Sequence, residues 1–220
     1  SWNHYFRIMR KLFSNTPFYT TVGNHCGKDG GLTASHFFMI PKSSHDKGTK
    51  EKGEVFIPDS KWCYTFKVKN TLFISINTLT LKENDDTEQL DLLREQLKNR
   101  GSDIKFTVFW SHIPYFGPPY NKQKYTDHER FLGEKLTEIF DECPVDLQFF
   151  GHKHAYIREG NKIVTGSIHG VRKYPEAWEE NYKLKNRHHF CTLEIMDNRM
   201  VVKAITWWGS EMDRLEINKQ

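Results

Sequence analysis

The apolar positions change their spacing along the chain, and the changes divide it into an alternating half and a strand-rich half. Trp2, Phe6, Met9, Leu12 and Phe13 recur at helical spacing and predict an amphipathic helix over residues 2–14. Phe18–Val22 is a short apolar run closed by Gly23 and reads as a buried strand. Two β-rich runs, Trp62–Val68 and Leu72–Asn77, flank Lys69–Thr71 and read as a hairpin. Leu90, Leu93 and Leu97 keep a helical period within Thr87–Asn99, which Arg100–Gly101 can close as a C-cap. Lys105–Trp110 reads as a strand. Asp127 suits the N-cap of a helix through Phe140, with Phe131, Leu132, Leu136, Ile139 and Phe140 turned inward. Asp146–Phe150 is again strand-like and again ends in Gly. From Ala155 onward the pattern is strands only, at 155–159, 162–166, 190–196, 199–206 and 211–217. Alternating elements followed by strands predict one α/β domain over residues 1–220 with a β-rich C-terminal part.

Composition narrows the class. The 220 residues are 37% apolar, but 16 Phe, 9 Tyr and 6 Trp each bury a large area, which supplies a core and excludes a disordered chain. No run approaches the ~18 apolar residues of a membrane span. The opening SWNHYFRIMRKLFS lacks the basic start and apolar stretch of a signal peptide. The net charge of +4 is spread along the chain, apart from a Lys/Gly-rich stretch at Pro41–Gly53 that reads as a solvated loop. A nucleic-acid binder concentrates its excess in one stripe, so that class is disfavoured. Cys26, Cys63, Cys143 and Cys191 form no CxxC and no zinc ribbon. Cys63 and Cys191 lie in apolar runs and read as buried thiols, with two disulfides left open. No Asn-x-Ser/Thr sequon occurs, which leans against a glycosylating compartment.

Eleven histidines are more than this composition needs, and three strand ends collect the informative ones. Phe18–Val22 runs into Gly23-Asn24-His25, Phe106–Trp110 into Ser111-His112, and Leu147–Phe150 into Gly151-His152-Lys153-His154. In open α/β sheets the loops past the carboxyl ends of strands meet on one edge and build the site. Asn24, His25, His112, His152 and His154 can therefore come together there. Neutral imidazoles and an amide oxygen are fit ligands for Zn, Fe or Mn. In an extended Gly-His-x-His both rings point to one side, as residues i and i+2 do, and the glycines let the chain turn without a Cβ clash.

The series TTVGNHC, VFWSHIPYFG and FFGHKHAY resembles the calcineurin-like metallophosphoesterase family, and within it the purple acid phosphatase branch. KWCYTFKVKNTLFISINT, the run TEQLDLLREQL and the closing AITWWGSEMDRLEI match as well, so the resemblance covers nearly the whole chain. It implies a two-sheet β-sandwich flanked by helices. It implies hydrolysis of phosphate mono- or diesters at a dinuclear centre of Fe, Zn or Mn, where a metal-bound water or hydroxide attacks phosphorus in line. By position, Asn24, His112 and His152 would ligate one metal and His154 the other. His25 would stand beside the scissile phosphate as proton donor or charge stabiliser, and His128 would be a substrate-facing histidine. Tyr115, Tyr120 and His169 would line the same cleft. The branch also leans towards secreted enzymes.

Two departures qualify what the resemblance implies. The family carries Asp-x-His and Gly-Asp-x-x-Asp ahead of its GNH, and nothing before Gly23 here can stand in for them. The chain is accordingly read as the C-terminal two-thirds of the family domain, its partners being the missing N-terminal segment or other subunits. The alternative is an inactive relative kept as a scaffold or binding subunit. The family also has Asp or Glu after GNH, where this chain has Cys26; a thiol is a weaker partner for orienting His25, and Cys26→Glu is expected to raise turnover.

Overall fold

Residues 2–26, 63–81, 88–119, 124–167 and 170–220 are described by the computed structural model. The Lys-rich stretch at 41–53, Tyr120 and His169 lie outside them. The hairpin read from its two β-rich runs is present as β1 (Tyr64–Val68) and β2 (Thr71–Ser75), paired antiparallel with Phe66 opposite Phe73. The alternating half continues with α2 (Glu88–Lys98), β3 (Phe106–Ser111), α3 (Asp127–Glu142) and β4 (Leu147–Phe150), after the N-terminal α1 (Trp2–Phe13). Then come β5 (Tyr156–Glu159), β6 (Lys162–Thr165), β7 (Lys183–Lys185), β8 (His189–Ile195), β9 (Arg199–Thr206) and β10 (Glu211–Asn218).

Seven strands form one sheet in the order β1-β2-β3-β4-β6-β5-β7, and β10-β9-β8 form a second. β2, β3, β4 and β6 run parallel. Strand alternation sorts the apolar side chains of the large sheet onto two faces. Phe106, Val108, Leu147, Tyr156 and Ile163 meet Met200, Val202 and Ala204 of the small sheet. Leu72, Ile74, Phe109, Phe150, Ile157 and Val164 point the other way, onto Leu90, Leu93 and Leu97 of α2 and Phe131, Leu132, Leu136 and Ile139 of α3. This is the sheet-on-sheet arrangement with helical cover that the resemblance implied. No helix among the described residues is long and apolar enough to cross a membrane, and no disulfide joins the cysteines, of which Cys63 is fully buried.

Several local expectations are corrected. Phe18–Val22 is not a strand: it has no ladder partner among the described residues, Phe18 and Tyr19 are exposed, and only Val22 is buried. The Tyr64 hydroxyl donates to the Thr20 carbonyl at 2.6 Å and Tyr19 stacks on Phe66, so side chains, not a backbone ladder, hold the segment beside β1. The N-cap of α3 is Thr126, one residue before Asp127, in a capping box with Glu129. The C-terminal half is not strands alone, since a 3₁₀ turn at Glu176–Glu180 precedes β7. Gly101, three residues past the end of α2, is in a left-handed conformation, φ 88°.

Candidate metal centre

The parallel register decides which loops meet. Ser111 pairs with Phe150 at the carboxyl ends of β3 and β4, so His112 and Gly151 leave the sheet side by side. The Gly151 amide donates to the His112 carbonyl at 3.0 Å and extends the ladder one step into the loops. From the other side comes the turn at 23–26, closed by the Cys26 amide on the Gly23 carbonyl at 2.8 Å. The Cys26 thiol accepts the Gly23 amide at 3.2 Å, so this sulfur staples the turn that presents Asn24.

Asn24 Oδ1 lies 2.8 Å from His112 Nε2 and 3.4 Å from His152 Nδ1. The two rings meet edge to face with centroids 5.2 Å apart. Neighbouring ligand atoms around one transition metal, at ~2.0–2.1 Å bond lengths, stand about 2.8 Å apart at octahedral angles and about 3.4 Å at tetrahedral ones, so the observed spacings fall within what one ion accepts. The glycines make the approach possible. A Cβ on Gly23 would sit 2.8 Å from His112 Cε1, and one on Gly151 would sit 3.1 Å from His112 Nδ1. At Gly23 any side chain would force the His112 ring to shift, and at Gly151 the ring would have to give by a few tenths of an ångström.

Electrostatics keeps the rings neutral. Burial, reinforced by His152, His25 and His154, pushes His112 down to about 3. Burial likewise pushes His152 down to about 4; Glu129 opposes the shift, while Lys153, His154 and His25 add to it. Neutral imidazoles keep a lone pair for a metal. His25, at the exposed tip of the turn, and half-buried His154 act on both rings through these charge effects. Among the described residues no three His, Cys, Asp or Glu side chains gather as a metal group. The converging set is therefore an amide and two imidazoles, a fit for one Fe, Zn or Mn ion with further ligands to come from elsewhere.

The Gly-His-x-His segment differs from the extended form expected of it. His152 is left-handed, φ 62°, and the Lys153 and Ala155 amides bond two residues back, to Gly151 and Lys153, at 2.7 Å each. The other candidates go elsewhere. His128, in the first turn of α3, gives its Nε2–H to the Thr78 carbonyl at 2.6 Å. Tyr115 donates to Gln148 at 2.7 Å and packs on Phe150. Sequence reasoning missed Lys153, whose side chain is fully buried between His152 and His154 in sequence and against Phe116, Gly117 and Glu129 in space.

Residues 1–156 match the model of the calcineurin-like phosphoesterase family, and the chain belongs to that family. It is 28% identical over 160 residues to the Arabidopsis thaliana protein named "Probable purple acid phosphatase 20", an alignment covering 71% of this chain and 36% of the relative. Its fold is similar to that of a purple acid phosphatase from yellow lupin (Lupinus luteus) seeds, with a TM-score of 0.73, 16% identity, and coverage of 99% of this chain and 43% of that one. It is also similar to GAP50, described as the anchor in the inner membrane complex of Plasmodium, with a TM-score of 0.67, 17% identity, and coverage of 93% and 67%. The chain thus spans less than half the length of the Arabidopsis and lupin proteins.

Proposed function

We propose that this chain is the metal-binding part of a phosphoesterase that hydrolyses phosphate mono- or diesters. The observation that carries the reading is the convergence of Asn24 Oδ1, His112 Nε2 and His152 Nδ1, with both imidazoles desolvated and neutral. An Fe, Zn or Mn ion held there would supply charge for the phosphoryl oxygens and acidify a water. The protein's own residues do the rest. Gly23 and Gly151 fix the His112 ring, and Cys26 fixes the turn that presents Asn24. His25, exposed at the tip of that turn, donates a proton to the leaving oxygen. His154 would serve the second metal of a dinuclear centre, its co-ligands being the carboxylates that the family carries ahead of GNH. His128 acts as a tie between α3 and the 78–80 turn. The family's lean towards secretion carries over as part of the same proposal.

The test is metal content and activity together. The chain is purified without chelator, and metals are counted per molecule by elemental analysis. Hydrolysis of p-nitrophenyl phosphate and its bis-ester is then followed. Bound metal at or above one per chain, lost in Asn24→Ala and His152→Ala, supports the reading. No uptake of Zn, Mn or Fe by a folded chain overturns it and leaves the scaffold reading, which shares its fold with the Plasmodium anchor protein.

A further inference from the structure

Lys153 is 0% exposed, an unusual state for a lysine. Its Nζ donates to the Phe116 carbonyl at 2.6 Å and reaches the Gly117 carbonyl at 3.4 Å. It lies 3.6 Å from Glu129 Oε1 and 5.5 Å from the centre of the Tyr125 ring. Glu129 is itself 3% exposed, and its Oε2 accepts the Thr126 amide at 2.9 Å in the capping box of α3. On the backbone side, Gly166 packs against Lys153 so closely that a Cβ would stand 2.8 Å from the lysine carbonyl oxygen. Burying a lysine and a glutamate costs desolvation that their attraction rarely repays, and replacing both by apolar side chains of like volume often serves stability as well, whereas removing one alone strands the other. Next to Lys153 stands His152 in a left-handed conformation, one that persists in a non-glycine residue only where its surroundings force it.

We propose that Lys153 is a positioning residue: its ammonium, bolted to the 116–117 carbonyls and to Glu129, holds His152 so that Nδ1 faces Asn24. The proposal rests on His152 being a metal ligand. The bolt closes a circuit between the two ligand loops. His112 is followed by Ile113, whose amide donates to the Thr78 hydroxyl at 3.0 Å. The Thr78 carbonyl takes His128 Nε2–H, and His128 adjoins Glu129 in α3. Glu129 meets Lys153, and Lys153 adjoins His152. Each ligand loop is thereby referred to the same helix end.

The test compares the parent chain with Lys153→Met and Glu129→Gln by two readouts. Long-range ¹H–¹⁵N correlation spectra of the histidine rings report the surroundings of His152 Nδ1 without metal. Titration with Co²⁺ reports affinity and, through its visible spectrum, ligand geometry. The expected result for Lys153→Met is a lowered thermal midpoint, because Glu129 is left buried without its partner, with shifted or broadened His152 ring signals and roughly 10–100-fold weaker Co²⁺ binding with an altered spectrum. Glu129→Gln is expected to move the same signals less, and it decides the matter if Lys153→Met fails to fold. His152 ring signals unchanged in a folded variant overturn the proposal, including when the midpoint falls, because that outcome marks a structural role alone. A parent chain that takes up no Co²⁺ sinks the metal reading, and the metal-free ring spectra still decide the role of Lys153.

Discussion

Asp213 and His112 are both polar groups taken largely out of water, and their surroundings answer that burial in opposite ways. The Asp213 carboxylate receives Tyr156 Oη at 2.7 Å, Arg158 Nε at 2.5 Å and Lys183 Nζ at 2.7 Å. Burial alone would raise its proton affinity, but these donors outweigh it and hold the carboxyl well below the usual range. His112 has no countercharge among its shift-causing neighbours; they are three more histidines, and all of them push it towards neutrality. One cluster is electrically closed and ties β5 and β7 of the large sheet to β10 of the small one. The other presents an amide oxygen and two imidazole nitrogens to one another, an arrangement that a cation would complete. A complete cluster contributes to stability, and an incomplete one is kept for a ligand.

The largest effects should separate the two. His112→Ala or His152→Ala should lower phosphoesterase turnover of the metal-loaded protein on the order of 10³-fold, the scale of several kcal/mol of lost metal assistance. Thermal stability of the metal-free chain should hardly change. Asp213→Ala should do the reverse. It leaves the largely buried Arg158 and Tyr156 without their acceptor, while exposed Lys183 returns to water, and should cost about 1.5–3 kcal/mol in urea unfolding, the scale of hydrogen bonds to a charged group, while metal bound per folded molecule stays the same. Metal lost in Asp213→Ala, or stability lost in His152→Ala, would break the comparison.

A smaller effect tests the glycine wedge. Gly23→Ala places a Cβ 2.8 Å from His112 Cε1, so the ring must move. The expected result is a roughly 10–100-fold loss of metal affinity by competition with a chromogenic chelator, at the cost usual for disturbing a ligand's support, with an unchanged circular dichroism spectrum. Affinity equal to the parent would mean that His112 is not held where its ring now lies.

Much of this site was legible before the fold was known. An apolar run ending in Gly-His or Ser-His is a local signal; parallel register brings two such signals together, because Ser111 pairs with Phe150, and the side chains of β1 hold the third beside them. What was not legible depended on partners far away in sequence. Phe18–Val22 has the composition of a strand, but a strand exists only where a neighbour completes its ladder. β7 is three residues, Lys-Leu-Lys, with one apolar position, too short for any period to register. The capping box of α3 is spelled Thr126-Asp127-His128-Glu129, and Asp127 is as good an N-cap residue type as Thr126, so only the position of Glu129 relative to the helix start separates them. Burial of Lys153 reverses hydropathy outright; only the carbonyls of 116–117 and Glu129 make it tolerable.

Acid unfolding of the metal-free chain sharpens the same contrast in two pH windows. His112 and His152 stay neutral in the fold down to about 3 and about 4, below their ordinary 6.5. The unfolded chain therefore binds protons that the folded one refuses. The stability tied to these rings is complete above pH 6.5 and is lost as pH falls towards those values. Asp213 is shifted down from 3.8, so its contribution is complete above 3.8 and is lost only below it. The urea midpoint should fall in both windows. The double variant His112→Ala/His152→Ala should flatten the upper window without abolishing it, because burial also lowers His189. Asp213→Asn should flatten the lower. An upper window unchanged in the double variant would show that the imidazoles are protonated in the folded chain.

The smallest expected effect concerns Cys26, where the two kinds of cluster meet in one residue. Its thiol accepts the Gly23 amide at 3.2 Å, so it already performs the structural half of what an acid would do there. A carboxylate would accept the same amide in a shorter, charge-assisted bond and would add a negative charge beside His25. Aspartate places an oxygen one bond beyond the position of Sγ and suits the turn better than glutamate. Cys26→Ala should cost about 0.5–1.5 kcal/mol, the net worth of one hydrogen bond, and Cys26→Ser should recover most of it. Cys26→Asp should at least restore that stability and raise turnover of the metal-loaded protein by roughly 2–5-fold, a change of less than 1 kcal/mol in the barrier. If Cys26→Asp matches Cys26→Ser in turnover, the missing acid has no part in orienting His25, and the thiol's role ends at the turn.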